Sequence, residues 1–292
     1  MINWDAIAAS ISNTTQTRFK SAHAVPMSGG CVNQAWRLEN SDGVRYFVKL
    51  NDAHKLSMFE AESAGLTAIA ATHTVRVPQP VICGVSDEHA FLVLEYLDLN
   101  GSGNARLLGE QLAALHRTQA RQFGFSQDNT IGETLQRNGW SSDWIAFWRE
   151  QRLGFQLDLA ARNGYGDLQE QGQKLLEKLP ELFDGYSPVP SLLHGDLWGG
   201  NHAFTADGMP VLFDPAPYYG DREADLAMTE LFGGFGAEFY AAYHTAWPLD
   251  AGYAARKMLY NLYHILNHAN LFGGGYVRQA QGMMQRLLEK PG

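Results

Sequence analysis

The spacing of apolar residues changes from helical to extended within the first fifty residues. Isoleucines at helical spacing suggest a short amphipathic helix that ends near Asn13. From Arg18 to about Leu50 the pattern is that of strands, and the turn Asn40–Gly43 joins Ala35–Glu39 to Val44–Leu50. A turn that contains Asp-Gly between such segments is typical of a β-hairpin. The sequence therefore predicts an antiparallel sheet near its start.

The next segment, from Leu56 to about Ala71, has helical spacing. Phe59, Glu62 and Leu66 fall at i, i+3 and i+7, so they share one face and place a carboxylate on an apolar stripe. The apolar run Phe91–Leu94 then predicts a buried strand. Residues up to 97 are expected to form a strand-rich lobe with one helix.

Helical patterns predominate after the segment Asp98–Asn104, whose glycines and polar residues predict a linker. Trp140, Trp144 and Trp148 form one helical stripe, which is more typical of a core than of a substrate-binding cage. These observations predict an apolar core made by all three tryptophans.

Two short apolar segments, Leu192-Leu193 and Pro210–Phe213, flank a glycine-rich loop and predict a small hairpin. The fold class expected from the whole pattern is α+β, with two lobes. The first is a small β-rich lobe at residues 1–97, and the second is a larger, mainly helical lobe at residues 98–292.

Composition excludes several classes of protein. The 292 residues are 45% hydrophobic, and the formal net charge of -9 argues against a sequence-independent interaction with nucleic acid. No apolar run approaches the roughly 20 residues of a membrane helix, and the first residues do not resemble a signal peptide. The two cysteines, Cys31 and Cys83, predict neither a disulfide framework nor a metal site, and favour a reducing, cytoplasmic location.

The most specific motif is His194-Gly195-Asp196-Leu197-Trp198-Gly199-Gly200-Asn201. It matches the kinase catalytic-loop pattern H-x-D-L-x-x-x-N, with Gly195 where protein kinases have Arg. In that pattern the Asp accepts the proton of a substrate hydroxyl, and the Asn binds a magnesium ion beside the phosphates of ATP. Asp214 follows 18 positions after Asp196 and would supply a second metal ligand. The alternative is that Asp196 and Asn201 only cap turns. The motif and the later Asp214 all match the spacing of the kinase pattern, which favours catalysis.

The upstream half contains the nucleotide-binding residues that such a kinase needs. A kinase needs a Lys on its third strand and a helical Glu that orients it, and Lys49 and Glu62 match this requirement. Taken alone, Lys49 would more often be a solvated lysine at a strand end. Glu95 and Leu97 lie where a hinge would present backbone groups to adenine. The turn between the first two strands, where a phosphate-covering loop belongs, consists of Gly29, Gly30, Cys31, Val32 and Asn33.

Three further positions allow more than one interpretation. Cys31 is either an exposed, reactive thiol or a small buried apolar residue. Asp225 either braces the catalytic loop or is only a carboxylate at a helix N-terminus. Trp198, beside the proposed base, would stack on a sugar or form a wall of the acceptor pocket. His116 and His194 are expected to be hydrogen-bonded structural histidines.

With these motifs the chain resembles the fructosamine kinase family, which is related to the aminoglycoside and choline kinases. The Trp that follows Asp-Leu in the catalytic loop is the most specific resemblance, and the similarity extends through Phe123–Phe125, Asn129–Gly132 and Trp140–Leu153. The resemblance implies a protein-kinase-like fold and phosphorylation of the 3-hydroxyl of ketosamines by ATP and Mg²⁺. Ketosamines are fructosamine or ribulosamine adducts, either free or on protein lysines, and their phosphorylation leads to deglycation.

The resemblance also implies a role for each matching residue. It makes Asp196 the base, Asn201 and Asp214 the metal ligands, Lys49 with Glu62 the phosphate-orienting pair, Glu95 with Leu97 the adenine hinge, Trp198 an acceptor-pocket aromatic residue and Cys31 a phosphate-loop cysteine. Two alternatives stay open: a kinase for another small hydroxyl compound, such as choline or an aminoglycoside, and a nucleotide-binding regulator without catalysis. The identity of the sugar and the oligomeric state are not predicted.

Overall fold

The computed structural model describes residues 2–27, 32–99 and 101–289. The N-terminal elements are α1 (Trp4–Thr15), β1 (Ser21–Met27), β2 (Gln34–Asn40), β3 (Arg45–Asp52), α2 (Leu56–Ala70), β4 (Pro80–Ser86) and β5 (His89–Glu95). The five strands form one antiparallel sheet in the order β1-β2-β3-β5-β4. Both helices contact this sheet. The short amphipathic helix expected at the start of the chain is confirmed as α1, and the helix expected from Leu56 is confirmed as α2.

The predicted hairpin is confirmed as β2 and β3. The side chain of Asn40 closes its turn, because Oδ1 accepts the backbone N–H groups of Asp42 at 3.0 Å and Val44 at 2.8 Å. One face of the sheet packs with α1 on an apolar core. The buried members of this core are Ile7, Ala8, Ile11, Phe19, Leu38, Val48, Leu50, Phe91 and Val93.

The remaining elements are mainly helical, with short strand pairs. They are α3 (Ala105–His116), β6 (Asn129–Ile131), β7 (Thr134–Gln136), α4 (Trp144–Trp148), α5 (Phe155–Arg162), α6 (Gly166–Lys178), β8 (Ser191–Leu192), β9 (His202–Phe204), β10 (Pro210–Leu212), β11 (Tyr219–Gly220), α7 (Glu223–Leu231), α8 (Ala237–Ala246), α9 (Tyr253–Phe272) and α10 (Gly275–Glu289). None of these described helices combines the length and apolar character needed to cross a membrane.

The chain divides into two compact units. The first comprises residues 1–104 and 202–215, and the second comprises residues 105–201 and 216–292. The sequence pattern placed everything after residue 97 in one helical lobe, whereas the structure groups the β9–β10 hairpin with the sheet. The physical reason is backbone hydrogen bonding, since Leu212 N–H donates to Arg76 O at 2.9 Å and Asn104 N–H donates to Gly208 O at 3.3 Å.

Two glycines of the predicted linker Asp98–Asn104 lie against this hairpin. Gly101 N–H donates to Phe204 O at 3.1 Å. A Cβ atom on Gly101 would overlap the backbone of Thr205, and one on Gly103 would overlap the ring of Phe204. Gly101 therefore allows the two backbones to approach closely, and Gly103 leaves room for the ring of Phe204.

Two local predictions are wrong. Leu192 does not form a hairpin with Pro210–Phe213, because β8 pairs with β11 and β10 pairs with β9. Segments this short carry no register information of their own. Trp140 lies before α4, which starts at Trp144, and is 48% exposed. Only Trp144 and Trp148 of the stripe are in the core.

Candidate active site

Lys49 lies on the central part of β3. It is opposite Ala35 of β2 and Leu92 of β5 in the sheet register. Its neighbours Val48 and Leu50 point into the apolar core. Because side chains alternate along a strand, Lys49 points to the opposite face of the sheet.

The ammonium group of Lys49 lies between two carboxylates. Nζ donates to Glu62 Oε1 at 2.6 Å and to Asp214 Oδ1 at 2.5 Å. The side chains of Lys49 and Glu62 are 7% and 11% exposed, whereas that of Asp214 is 41% exposed. Burial alone would lower the pKa of Lys49, but the carboxylates of Asp214 and Glu62 outweigh it and raise this pKa above its ordinary value. We call these three residues the Lys49 cluster.

Asp214 has an unusual backbone conformation. Its φ of 57° lies in the left-handed region that few residues other than glycine adopt. Asp is among the side chains that tolerate this region, and such residues are common at functional loops. The conformation places the predicted metal ligand next to Lys49.

A buried carboxylate anchors the start of the catalytic loop. Asp225, in the first turn of α7, accepts the backbone N–H groups of His194 at 2.7 Å and Gly195 at 2.8 Å. Its Oδ2 also accepts a hydrogen bond from Nε2 of His116 at 3.1 Å. Burial would raise the pKa of Asp225, but the hydrogen bond from His116 and the surrounding groups lower it below its ordinary value. Asp225 is therefore both the brace of the loop and a carboxylate at a helix N-terminus.

Gly195 is required by the shape of the loop. Its φ is 83°, and a Cβ atom there would overlap the backbone oxygen of Ala216. The neighbouring backbones are paired, since Ala216 N–H donates to His194 O at 2.9 Å. An Arg at this position, as in protein kinases, would not fit this arrangement.

The proposed base and the proposed metal-binding amide contact each other. Nδ2 of Asn201 donates to the backbone oxygen of Asp196 at 2.8 Å and to its Oδ2 at 3.0 Å. The backbone N–H of Asn201 donates to Trp198 O at 3.0 Å, and Asn201 is only 5% exposed. These contacts use the nitrogen of the amide and leave its Oδ1 available as an oxygen ligand.

A buried polar network that the sequence did not reveal supports the segment after Asp214. Nε2 of Gln136 donates to Ala216 O at 3.0 Å and to Asn129 Oδ1 at 2.8 Å, while Nδ2 of Asn129 donates to Pro217 O at 2.9 Å. The hydroxyl of Tyr263 donates to Gln136 Oε1 at 2.8 Å. Asn129 begins a stretch that resembles the family, which is the one sequence signal for this network.

The predicted phosphate-covering loop lies only partly within the described residues. Gly29, Gly30 and Cys31 lie outside the described residues. Val32 and Asn33 precede β2 and are tied to β3 by Asn51, whose Nδ2 donates to Val32 O at 3.3 Å and to Asn33 Oδ1 at 2.8 Å.

Glu95 ends β5, and Leu97 lies two residues further along. The carboxylate of Glu95 forms an ion pair with Arg76 and accepts the backbone N–H of Gln79 at 3.2 Å. The side chain of Glu95 therefore has a structural role. Its backbone N–H donates to Gln79 O at 2.8 Å, which leaves its backbone oxygen as the candidate for contact with a nucleotide.

The described residues contain no group of three or more His, Cys, Asp or Glu side chains that could hold a metal ion. The exposed carboxylate of Asp214 and Oδ1 of Asn201 are hard oxygen atoms, the type of ligand that Mg²⁺ prefers.

Comparison with known proteins identifies the family of this chain. The family model for fructosamine kinase matches residues 3–290. The chain belongs to the fructosamine kinase family. It is 50% identical over 289 residues to a probable ketoamine kinase of Synechocystis sp., covering 98% of this chain and 97% of that protein.

Two further members of the fructosamine kinase family extend the comparison. The chain is 45% identical over 268 residues to the chloroplastic protein-ribulosamine 3-kinase of Arabidopsis thaliana, covering 90% of this chain and 81% of the relative. A crystal structure of a Haemophilus somnus protein assigned as a fructosamine-3-kinase superposes with a TM-score of 0.89 at 30% identity, covering 98% of each chain. The expected α+β kinase-type fold is confirmed.

Proposed function

We propose that this protein transfers the γ-phosphoryl group of ATP to the 3-hydroxyl of ketosamines and thereby contributes to protein deglycation. The observation that carries the proposal is the hydrogen-bonded pair of Asp196 and Asn201 in a loop whose start is anchored by the buried Asp225. Relatives named ketoamine kinase and protein-ribulosamine 3-kinase support this choice of acceptor.

Asp196 is the proposed general base. Its carboxylate accepts the proton of the sugar hydroxyl while the hydroxyl oxygen forms a bond to the γ-phosphorus. The bond between that phosphorus and the bridging oxygen breaks, and ADP leaves with the electron pair. The hydrogen bond from Asn201 to Oδ2 at 3.0 Å orients the carboxylate for this task.

The Lys49 cluster is proposed to bind the phosphates. Glu62 holds the ammonium group of Lys49 in place, so that its positive charge is directed at the α- and β-phosphates. Asn201 and Asp214 are the proposed ligands of Mg²⁺, which when bound would neutralise charge on the transferred phosphoryl group.

The remaining contacts to the nucleotide are assigned by position along the chain. The backbones of Glu95 and Leu97 are the proposed adenine hinge, and the loop of Gly29, Gly30, Cys31, Val32 and Asn33 is proposed to cover the phosphates. Residues 1–97 would thus bind the nucleotide, and the part from residue 98 onward would supply the base and the acceptor site. Trp198, which is 39% exposed two positions after the base, is the proposed platform for the sugar.

An acceptor panel tests the proposed substrate. ADP release would be measured with ATP and Mg²⁺ in the presence of a ribulosamine, a fructosamine, choline and an aminoglycoside. We expect turnover with a ketosamine alone, and removal of Mg²⁺ by a chelator should abolish it. Turnover with choline or the aminoglycoside alone would keep the phosphoryl-transfer chemistry and contradict the proposed acceptor.

A further inference from the structure

A row of aromatic side chains starts at the catalytic loop and continues onto the two C-terminal helices. Trp198 contacts Phe232 edge to face, with ring centroids 6.2 Å apart, and Phe232 contacts His268 of α9 at 5.3 Å. Beyond His268 the row continues to Phe272 at 5.7 Å and to Tyr276 of α10 at 5.0 Å. We call these five residues the aromatic row.

The apolar members of the row are unusually exposed. Trp198 and Phe232 are 39% and 37% exposed, and Phe272 is 64% exposed, the largest fraction among the large hydrophobic residues that the structure describes. Exposed apolar side chains that are contiguous, unlike scattered ones, mark binding sites. Exposed rings contribute less to the stability of the fold than buried rings would. The stability of the fold therefore does not explain why these rings lie at the surface.

The far end of the row is held in place by the connection between α9 and α10. Gly273 and Gly274 have φ values of 63° and 59°, which are favourable for glycine. Gly273 N–H donates to Ala269 O at 2.9 Å and ends α9 directly after Phe272. The reversal returns Tyr276 to the ring of His268, so the exposed rings form one continuous surface.

His268 gives the row a polar group of defined orientation. Its Nδ1 donates to the backbone oxygen of His264 at 2.8 Å, which fixes the proton on Nδ1. In the neutral ring Nε2 is then a hydrogen-bond acceptor. The row therefore offers both aromatic faces and an acceptor, which together suit a cationic amine.

We propose that the aromatic row binds the amine-bearing part of the ketosamine and favours adducts on lysines of polypeptides over small free adducts. This inference rests on the proposed function. The amine of a ketosamine is attached to C1, two carbons from the 3-hydroxyl, so its substituent leaves the sugar beside the reacting group, where the aromatic row begins with Trp198. The lysine side chain would follow Phe232 and His268, and the flanking residues would contact Phe272 and Tyr276. The net charge of -9 favours a basic peptide further.

The test compares two acceptors that carry the same sugar, a ribulosamine of methylamine and a ribulosamine on the lysine of a short basic peptide. In the double variant Phe272→Ala and Tyr276→Ala we expect KM for the peptide adduct to rise about tenfold with kcat unchanged, since two ring contacts are lost. KM for the methylamine adduct should change less than about twofold. Trp140→Ala is the matched control, because Trp140 is 48% exposed and stacks on Tyr219 outside the row.

If the double variant shows an unchanged KM for the peptide adduct, or an equal rise in KM for both acceptors, the inference about the aromatic row is wrong. The proposed function is not affected by these outcomes, because the protein still phosphorylates a ketosamine. If the native protein turns over neither adduct, the proposed function fails. Binding of the peptide adduct is then measured by calorimetry: weaker binding by the double variant supports the row as a peptide-binding surface, and equal binding overturns it.

Discussion

Two polar clusters, one in each compact unit, are built in different ways. In the first unit, the Lys49 cluster consists of charged side chains that contact one another, and one of them, Asp214, is 41% exposed. In the second unit, Asp225 is 1% exposed and directs its charge at backbone N–H groups of the catalytic loop.

This difference indicates different tasks. Contacts between charged side chains can be exchanged for contacts with a charged ligand, so the Lys49 cluster is suited to binding and contributes little to stability. A carboxylate that satisfies buried backbone donors cannot be exchanged without leaving those donors unpaired. Asp225 therefore fixes the shape of the loop that contains Asp196, the proposed base.

Of the variants that test this comparison between the two clusters, a double variant of the Lys49 cluster has the largest expected effect, and it separates activity from stability. In the double variant Lys49→Met and Glu62→Gln we expect kcat/KM to fall by roughly 10²–10³-fold, because a cation directed at the phosphates is lost. The free energy of unfolding should change by less than about 1.5 kcal/mol, since no buried charge is left unpaired. ADP release and urea denaturation measure the two quantities. A large loss of stability would show that the cluster is structural.

Asp225→Asn tests the second cluster. The amide of Asn has one acceptor oxygen, so it cannot accept the N–H groups of both His194 and Gly195, and its own NH₂ group would face one of these donors. We therefore expect the free energy of unfolding to fall by about 3 kcal/mol. Urea denaturation checks this, with Asp167→Asn at an exposed helix N-terminus as the control. Equal stability of the two variants would contradict the bracing role.

Gln136→Leu is expected to destabilise the second unit, like Asp225→Asn, but to a smaller extent. The substitution leaves Ala216 O and Asn129 Oδ1 without their buried donor. We expect a loss of about 2 kcal/mol in the free energy of unfolding and a lower kcat with KM for ATP unchanged. A change in KM for ATP with kcat intact would show that the network does not position the loop.

The pH dependence of stability gives the smallest effect. Burial of His264, together with the nearby His268, lowers its pKa to about 3, below the ordinary value near 6.5. Between these pH values the unfolded chain binds a proton that the folded protein does not, so stability falls as the pH decreases. We expect a slope of about 1 kcal/mol per pH unit between pH 6 and 5 that His264→Gln removes. The same slope in that variant would contradict the assignment, and exposed His54→Gln is the control.

The sequence predicted the parts of the site in which chemically reactive residue types occur at a recognisable local spacing. Glu62 stood out because helical spacing put a carboxylate on an apolar stripe, and the structure pairs it with Lys49. The catalytic loop stood out because four residue types recur at fixed spacing. The β2–β3 hairpin followed from its turn residues.

The sequence did not reveal contacts between segments that are distant along the chain. Gln136 and Asn129 are ordinary polar residues of short strands, and their partners lie 80 and 88 positions away. The glycines of Asp98–Asn104 suggested a linker, whereas the backbone of Thr205 and the ring of Phe204 leave no room for a side chain at Gly101 and Gly103. Leu192 was paired with the wrong strand because two or three apolar residues do not specify a partner.

The most direct test of the account is Asp196→Asn, measured for turnover and ATP binding in the same preparation. The substitution keeps the shape of the side chain and removes its ability to accept the proton of the hydroxyl. We predict that Mg²⁺-dependent ADP release with a ribulosamine falls at least about 10³-fold while the dissociation constant for ATP changes less than about threefold. Retained turnover would contradict the assignment of Asp196 as the catalytic base.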